Sequence, residues 1–176
     1  MSAPNANEAS WKPTADLSDE LGEDACRVLV GPWRSYGGRA RFRGRVSTVR
    51  CYEDNSLVRR ATLERGDGRV LLVDAAGSLQ RALVGDVLGA NLARNGWAGV
   101  VVFGAVRDVA ELARLDLGVV AVGACPRRSN QRGAGERDVP VSIRGVRVDP
   151  GAELVADEDG VVVVGGEGGA QQLGKL

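Results

Sequence analysis

Gly99-Val-Val-Val-Phe-Gly-Ala-Val-Arg-Asp-Val-Ala-Glu111 is the stretch that decides the fold, because a fully apolar run ends there at a glycine and an Arg-Asp pair. Val100 to Phe103 carries β-branched and aromatic side chains without polar alternation, the pattern of a strand buried on both faces. Gly104 reads as the turn that ends it, and Asp108 stands where the next helix begins. Charge therefore falls just past the carboxyl end of a buried strand, the edge of an open α/β sheet where ligands bind. Arg107 offers a planar fork of donors to a carboxylate or a developing oxyanion, and Asp108 offers oxygens to a hard cation. The same pair also reads as ordinary structure, with Asp108 a helix N-cap and Arg107 its solvated neighbour. These residues alone leave both readings open.

The composition narrows the chemistry. A chain of 176 residues with 44% hydrophobic content supports one domain with a real core and is too short to expect two. Basic and acidic residues number 23 each, so there is no bulk electrostatic reason to expect nucleic acid as a direct partner, and a local patch alone stays open. Cys26, Cys51 and Cys125 are odd in number and widely spaced, which fits neither a CxxC metal site nor a disulfide framework and favours a reducing cytoplasm. There is no signal-peptide pattern and no apolar run near the roughly 20 residues that span a bilayer, so a soluble cytoplasmic protein without membrane contact is expected.

Two scarcities matter more. The chain has no histidine, which removes Ser-His-Asp and Cys-His chemistry and leaves carboxylates, cysteine, tyrosine, lysine or metal-bound water to move protons. Its lysines are Lys12 and Lys175, both in terminal segments, whereas a Schiff-base lysine needs a desolvating pocket. An enzyme of this composition acting on a carbonyl compound is left with a metal ion as electrophile.

In order along the chain, residues 1–12 read as a disordered tail, residues 13–164 as a single α/β domain, and the glycine-rich residues 165–176 as a flexible tail. Thr14 is expected to cap a short helix through Leu17 and Leu21 that stops at Gly22. Arg39, Arg41, Arg43 and Arg45 would share one face of an extended strand, read as solvated or salt-bridged rather than as an RNA or phosphate surface. A helix from Asp54-Asn55-Ser56 runs to Arg65. Val70 to Val73 is a second buried strand, followed by a loop in which Gly77 stands alone; the closely spaced glycines of a dinucleotide or adenosylmethionine site are missing. Gly85-Asp86-Val87-Leu88 opens another helix, with Asp86 as its cap and free first-turn N–H groups that suit an anion. Val119 to Val122 is a third buried strand. These successive strand-helix passes predict parallel crossover units. Beyond Cys125-Pro126, the polar stretch from Arg127 to Asp138 reads as a loop. Short strands at Val139–Ile143, Val146–Val148, Leu154–Ala156 and Val161–Val164, separated by glycine and acidic turns, predict an antiparallel C-terminal part. Asp157-Glu158-Asp159 reads as an acidic turn, not a calcium loop.

Gly37-Gly38-Arg39, Ser47-Thr-Val-Arg-Cys51 with Glu53-Asp54-Asn55, Val73-Asp74 with Gly77-Ser78, Ala82-Leu83-Val84, Gly104-Ala-Val-Arg107, Gly133-Ala-Gly-Glu136 and Ala156-Asp-Glu-Asp-Gly160 together resemble the regulator of ribonuclease activity A family. That family is joined to the class II 4-hydroxy-4-methyl-2-oxoglutarate aldolases. The resemblance runs from about Pro13 to Val164 and implies a β/β/α swivelling-domain fold and a homotrimer with sites between subunits. It also implies roles. Arg107 would hold the keto and carboxylate oxygens of a small 2-oxo acid, and Asp108 a divalent cation, magnesium or manganese. The backbone of Gly85, Asp86, Val87 and Leu88 would bind the pyruvyl carboxylate. The implied activity is metal-dependent cleavage of 4-hydroxy-4-methyl-2-oxoglutarate to pyruvate, with oxaloacetate decarboxylation as a side activity through a shared enolate. The family's other branch implies a protein that binds and regulates a ribonuclease E-type enzyme without turning anything over.

Overall fold

The structure is a computed structural model and describes residues 11–165. The chain opens with α1 (Thr14–Ala25), β1 (Cys26–Val28), β2 (Arg34–Ser35), β3 (Phe42–Arg50) and α2 (Ser56–Thr62). It continues through β4 (Val70–Asp74), β5 (Ala82–Val84), α3 (Asp86–Arg94), β6 (Gly99–Val106), α4 (Val109–Leu112) and β7 (Gly118–Ala124). The remainder is β8 (Glu136–Arg137), β9 (Val141–Ile143), β10 (Val146–Val148), β11 (Glu153–Ala156) and β12 (Val161–Val164).

The Val- and Leu-rich runs form the parallel centre of one mixed sheet, ordered β1-β12-β11-β3-β4-β6-β7-β2, with β5 added to β6 and β8 to β3. Their side chains alternate between two cores, which is why they lack polar alternation. Leu71, Val73, Val100, Val102, Val119 and Ala121 face one cluster, and Val70, Leu72, Val101 and Val120 the other. The crossover helices α2, α3 and α4 bring Val58, Ala61, Leu88, Leu92 and Leu112 to the first cluster. Because the order β3-β4-β6-β7 always advances in one direction, crossovers of one hand stay on one face. The opposite face is closed by Leu29, Phe42, the hairpin β9–β10 and residues of β11 and β12. The expected α/β class, parallel crossovers and antiparallel C-terminal part are all present.

Strand β3 joins the two halves. Phe42 to Arg45 pair antiparallel with β11, and Val46 to Arg50 pair parallel with β4. Its buried hydroxyls are satisfied: Ser47 Oγ donates to Asp138 Oδ1 at 2.9 Å and Thr48 Oγ1 to the Val139 carbonyl at 2.5 Å. The neighbouring arginines are paired as expected, Arg39 with Asp116, Arg41 with Glu158 and Arg43 with Glu153.

Several local expectations need correction. Gly104 is not a turn: β6 runs on to Val106, with an irregular register against β7 between Val102 and Ala105. A Cβ at Gly104 would stand 2.8 Å from that of Ala75, so glycine is there for a close approach. Thr14 is the first helical residue, not a side-chain cap. Its N–H and its hydroxyl both donate to the Asp157 carboxylate at 2.7 Å, so the acidic turn itself closes the start of α1. Gly22, at φ 72°, kinks that helix instead of ending it. Helix α2, expected to run to Arg65, ends at Thr62. Trp11 and Lys12, assigned to the disordered tail, are engaged: Trp11 packs against the Leu17 cluster and Lys12 pairs with Glu20. The rest of the expected N-terminal tail, 1–10, and residues 166–176 of the C-terminal one lie outside the described residues.

Phe42 rests on two glycines that are partners across β6 and β7, Gly99 and Gly118. A Cβ on Gly118 would stand 2.1 Å from Phe42 Cδ1, and one on Gly99 2.5 Å from Cδ2. Gly118→Ala is therefore expected to cost about 1–3 kcal/mol in urea unfolding, the usual scale of overpacking. Trimming the ring in a Phe42→Leu background should return part of that loss. Equal losses in the two backgrounds would contradict the contact.

Candidate active site

The carboxyl ends of β3, β4, β5, β6 and β7 lie along one edge, and β6 delivers the Arg-Asp pair there. The Arg107 N–H donates to the Val84 carbonyl at 2.9 Å, which ties the end of β6 to the end of β5. Asp108 occupies the N-cap position of α4 in the left-handed region, φ 55°, a conformation that Asp tolerates better than most residues. Its side chain makes no cap bond to α4. The carboxylate turns the other way: Oδ2 accepts from the N–H of Asp86, the first residue of α3, at 3.3 Å, and lies 3.3 Å from Arg107 Nε. The expected position of Asp108 is thus correct, and the side-chain capping role is not what it performs.

Gly85 makes this arrangement possible. A Cβ there would lie 2.5 Å from Asp108 Oδ2 and 3.1 Å from Arg107 Cγ, so any side chain would push the pair off the start of α3. Gly85, not Asp86, holds the N-cap position. Asp86 is the first helical residue and its carboxylate accepts from the Val87 N–H at 2.7 Å. The structure thereby brings together the two segments singled out in the sequence, Gly85–Leu88 and Arg107–Asp108. Two positive features converge on the gap between them, the N-terminal end of α3 and the guanidinium. Nη1 and Nη2 of Arg107 make no hydrogen bond among the described residues, so the fork is free for a bidentate contact. The side chains of Arg107 and Asp108 are 39% and 35% exposed, open enough to meet a ligand. Beside them, an open groove of about 360 Å³ runs between α3 and α4 from Asp86 and Glu111 to Arg94 and Arg114.

The donor set bears on which cations fit. Among the described residues, no group of three or more His, Cys, Asp or Glu side chains could hold a metal ion. A closed, all-protein site is therefore not built from these residues. Magnesium ordinarily keeps several waters and uses one or two carboxylates, so the half-exposed carboxylate of Asp108 meets that smaller requirement. Cys51 is no proton carrier at this edge: burial, with Asp54 and Asp74 nearby, pushes its thiol up to about 12.

Reading the sequence alone misses β5 and the residue that holds it. Asn55 Nδ2 donates to the Leu83 carbonyl at 3.2 Å. A three-residue strand leaves no periodic signal, and an Asn before a helix looks only like a cap.

This fold and this edge define an α/β protein of the Aldolase/RraA kind. The RraA-like family model, described as Aldolase/RraA, matches residues 14–163, and the chain belongs to that family. It is 54% identical over 151 residues to a protein of Alkalilimnicola ehrlichii named "Putative 4-hydroxy-4-methyl-2-oxoglutarate aldolase", covering 86% of this chain and 93% of the relative. A Burkholderia multivorans protein of the same name is 53% identical over 154 residues, covering 85% and 94%. Among solved structures, the RNA-processing inhibitor RraA from Thermus thermophilis aligns with a TM-score of 0.84 at 48% identity, over 88% of this chain and 93% of that one. A Geobacillus kaustophilus structure titled S-adenosylmethionine: 2-dimethylmenaquinone methyltransferase aligns with a TM-score of 0.85 at 43% identity, over 92% and 99%.

Gly85→Ala tests the geometry directly. The residue sits at φ −135°, which alanine adopts freely, so the change acts through contact with Asp108 and not through backbone strain. We expect the Asp86 amide resonance to shift in ¹⁵N-labelled protein while the thermal midpoint stays close to that of the parent chain. An unmoved Asp86 amide would contradict the contact.

Proposed function

We propose that the chain is a class II lyase that cleaves 4-hydroxy-4-methyl-2-oxoglutarate to two molecules of pyruvate and decarboxylates oxaloacetate at the same site. The observation that carries this reading is the unengaged fork of Arg107, held with Asp108 against the N-terminal end of α3 where only glycine fits. The names of the Alkalilimnicola and Burkholderia relatives support it. The substrate's C1 carboxylate faces the backbone of Gly85, Asp86, Val87 and Leu88, where the helix end favours negative charge. Arg107 orients the 2-oxo group and stabilises the negative charge that grows on its oxygen as the bond breaks. In the retro-aldol reaction the C4 hydroxyl gives its proton to water and the C3–C4 bond breaks. Its electron pair passes into the enolate of one pyruvate, and C4 leaves as the carbonyl of the other. Oxaloacetate loses carbon dioxide to the same enolate, which water then protonates at C3. Asp108 is the residue that would hold a magnesium or manganese ion, its shell completed by water and substrate oxygens; such an ion supplies Lewis-acid stabilisation of a developing oxyanion. The resemblance to the family also favours a homotrimer with sites between subunits.

A second reading rests on the RraA neighbours, one titled an RNA-processing inhibitor and another, from Streptomyces coelicolor, an unusual member of the RNase ES inhibitor RraA protein family. In that reading the chain docks on a ribonuclease and the edge described here turns nothing over.

Pyruvate release from each substrate, with magnesium and with chelator, separates the two. Activity should vanish with chelator and survive borohydride treatment. Arg107→Lys keeps the charge but loses the bidentate contact, and should lower kcat/KM for oxaloacetate by about 2–4 kcal/mol of transition-state stabilisation. Asp108→Asn should lower turnover by orders of magnitude with an almost unchanged melt. Near-parental rates in both variants would favour the regulator reading.

A further inference from the structure

Ten arginines pair with a carboxylate among the described residues, and none of the three on one loop does. Arg127, Arg128 and Arg132 are exposed, and their side chains make no ion pair or hydrogen bond among the described residues. The loop that carries them is nevertheless held firmly. Ser129 is buried and its hydroxyl donates to the Ala82 carbonyl at 2.7 Å. The N–H of Asn130 donates to the Glu53 carbonyl at 2.9 Å, and that of Arg132 to the carboxylate of Asp54 at 2.6 Å. The Ala82 N–H donates to the Arg127 carbonyl at 2.8 Å, and Arg81 Nη1 to that of Arg128 at 3.0 Å.

Every carboxylate beneath this loop is occupied. Asp54 is buried; although burial works to raise its pKa, hydrogen bonds from Ser56 and from the backbone of Arg132 and Ala134 hold its carboxyl below the usual range. Glu53 accepts from Ser78 Oγ at 2.9 Å and lies 3.7 Å from Arg81 Nε. Glu136 pairs with Arg50. Three positive charges without an ion pair among the described residues therefore share one firmly held loop, in a chain whose formal charges cancel overall. Tyr52, one residue before the Glu53 whose carbonyl accepts from Asn130 of the loop, stands 64% exposed. An exposed aromatic on the segment to which this loop is bonded, with unpaired guanidinium groups on the loop itself, matches what single-stranded nucleic acid requires: cations for the phosphates and a flat face on which a base stacks.

We propose that the loop from Arg127 to Arg132, together with Tyr52, is a docking surface for single-stranded RNA, contacting its phosphates through Arg127, Arg128 and Arg132 and one base through Tyr52. The surface shares no residue with the Arg107–Asp108 site and is independent of the function proposed for it. Recognition through phosphates and one stacked base is sequence-tolerant. This surface also differs from the arginine run at Arg39 to Arg45, in which Arg39, Arg41 and Arg43 carry acidic partners.

The test is fluorescence anisotropy of the full chain with a labelled oligouridylate of about 12 nucleotides, titrated at several salt concentrations. Log affinity should fall against log salt with a slope of about −2, since each of three phosphate contacts contributes roughly −0.7 on a single strand. The variant R127Q/R128Q/R132Q should lose most of the affinity and flatten that slope, while melting like the parent because the three side chains make no contacts to lose. Tyr52→Ala should weaken binding by about fivefold or more at every salt concentration and leave the slope unchanged. No salt-dependent binding by the parent chain, or full binding by the triple variant, would overturn the proposal. So would oligoglutamate competing as well as oligouridylate, which would assign the surface to an acidic protein segment.

Discussion

The site depends on the close approach of two chain ends, the exit of β6 and the entry of α3, with no side chain between them. β6 is held between β4 and β7 and buried on both faces, and β5 lies along its last residues. The end of this strand therefore has little freedom, and Arg107 is fixed further by its bond to Val84. Only because position 85 is glycine can the Asp108 carboxylate reach the first N–H of the next helix. Left-handed backbone at a non-glycine residue costs roughly 1–3 kcal/mol and persists where the surroundings impose it. Here it turns a carboxylate away from the helix that it precedes and towards the site.

Much of this was legible in the residues. The Val- and Leu-rich runs at Val70–Val73, Val100–Phe103 and Val119–Val122 are strands because both faces of the sheet are covered, so no position alternates to water. The C-terminal strands followed from their turns. What escaped the sequence did so for definite reasons. Gly104 looks like a turn in one dimension, whereas its neighbour in space, Ala75, lies just past the end of β4. Strands β1, β2, β5 and β8 have two or three residues each, too few to set a period. The direction in which Asp108 points depends on Gly85, 23 positions away in the numbering, and no local rule links the two.

The acidic turn at Asp157 to Asp159 carries the same lesson in reverse. Local reading correctly found a turn, but its carboxylates act at a distance: Asp157 closes the start of α1 and Glu158 answers Arg41. Several charges in this chain meet in such long-range pairs, and a neutral total hides both the free fork of Arg107 and the unpaired arginines of the loop near Asp54.

The central claim is that one site recognises a planar 2-oxo acid and a divalent cation together, through Arg107, Asp108 and the start of α3. Calorimetric titration of oxalate, a planar mimic of the pyruvate enolate, tests it most directly when run with and without magnesium. Two ligands sharing one site must couple, and the coupling must be reciprocal. The account predicts that magnesium tightens oxalate binding by about tenfold or more and that oxalate tightens magnesium binding by the same factor. Oxalate binding of equal strength in magnesium and in chelator would contradict it.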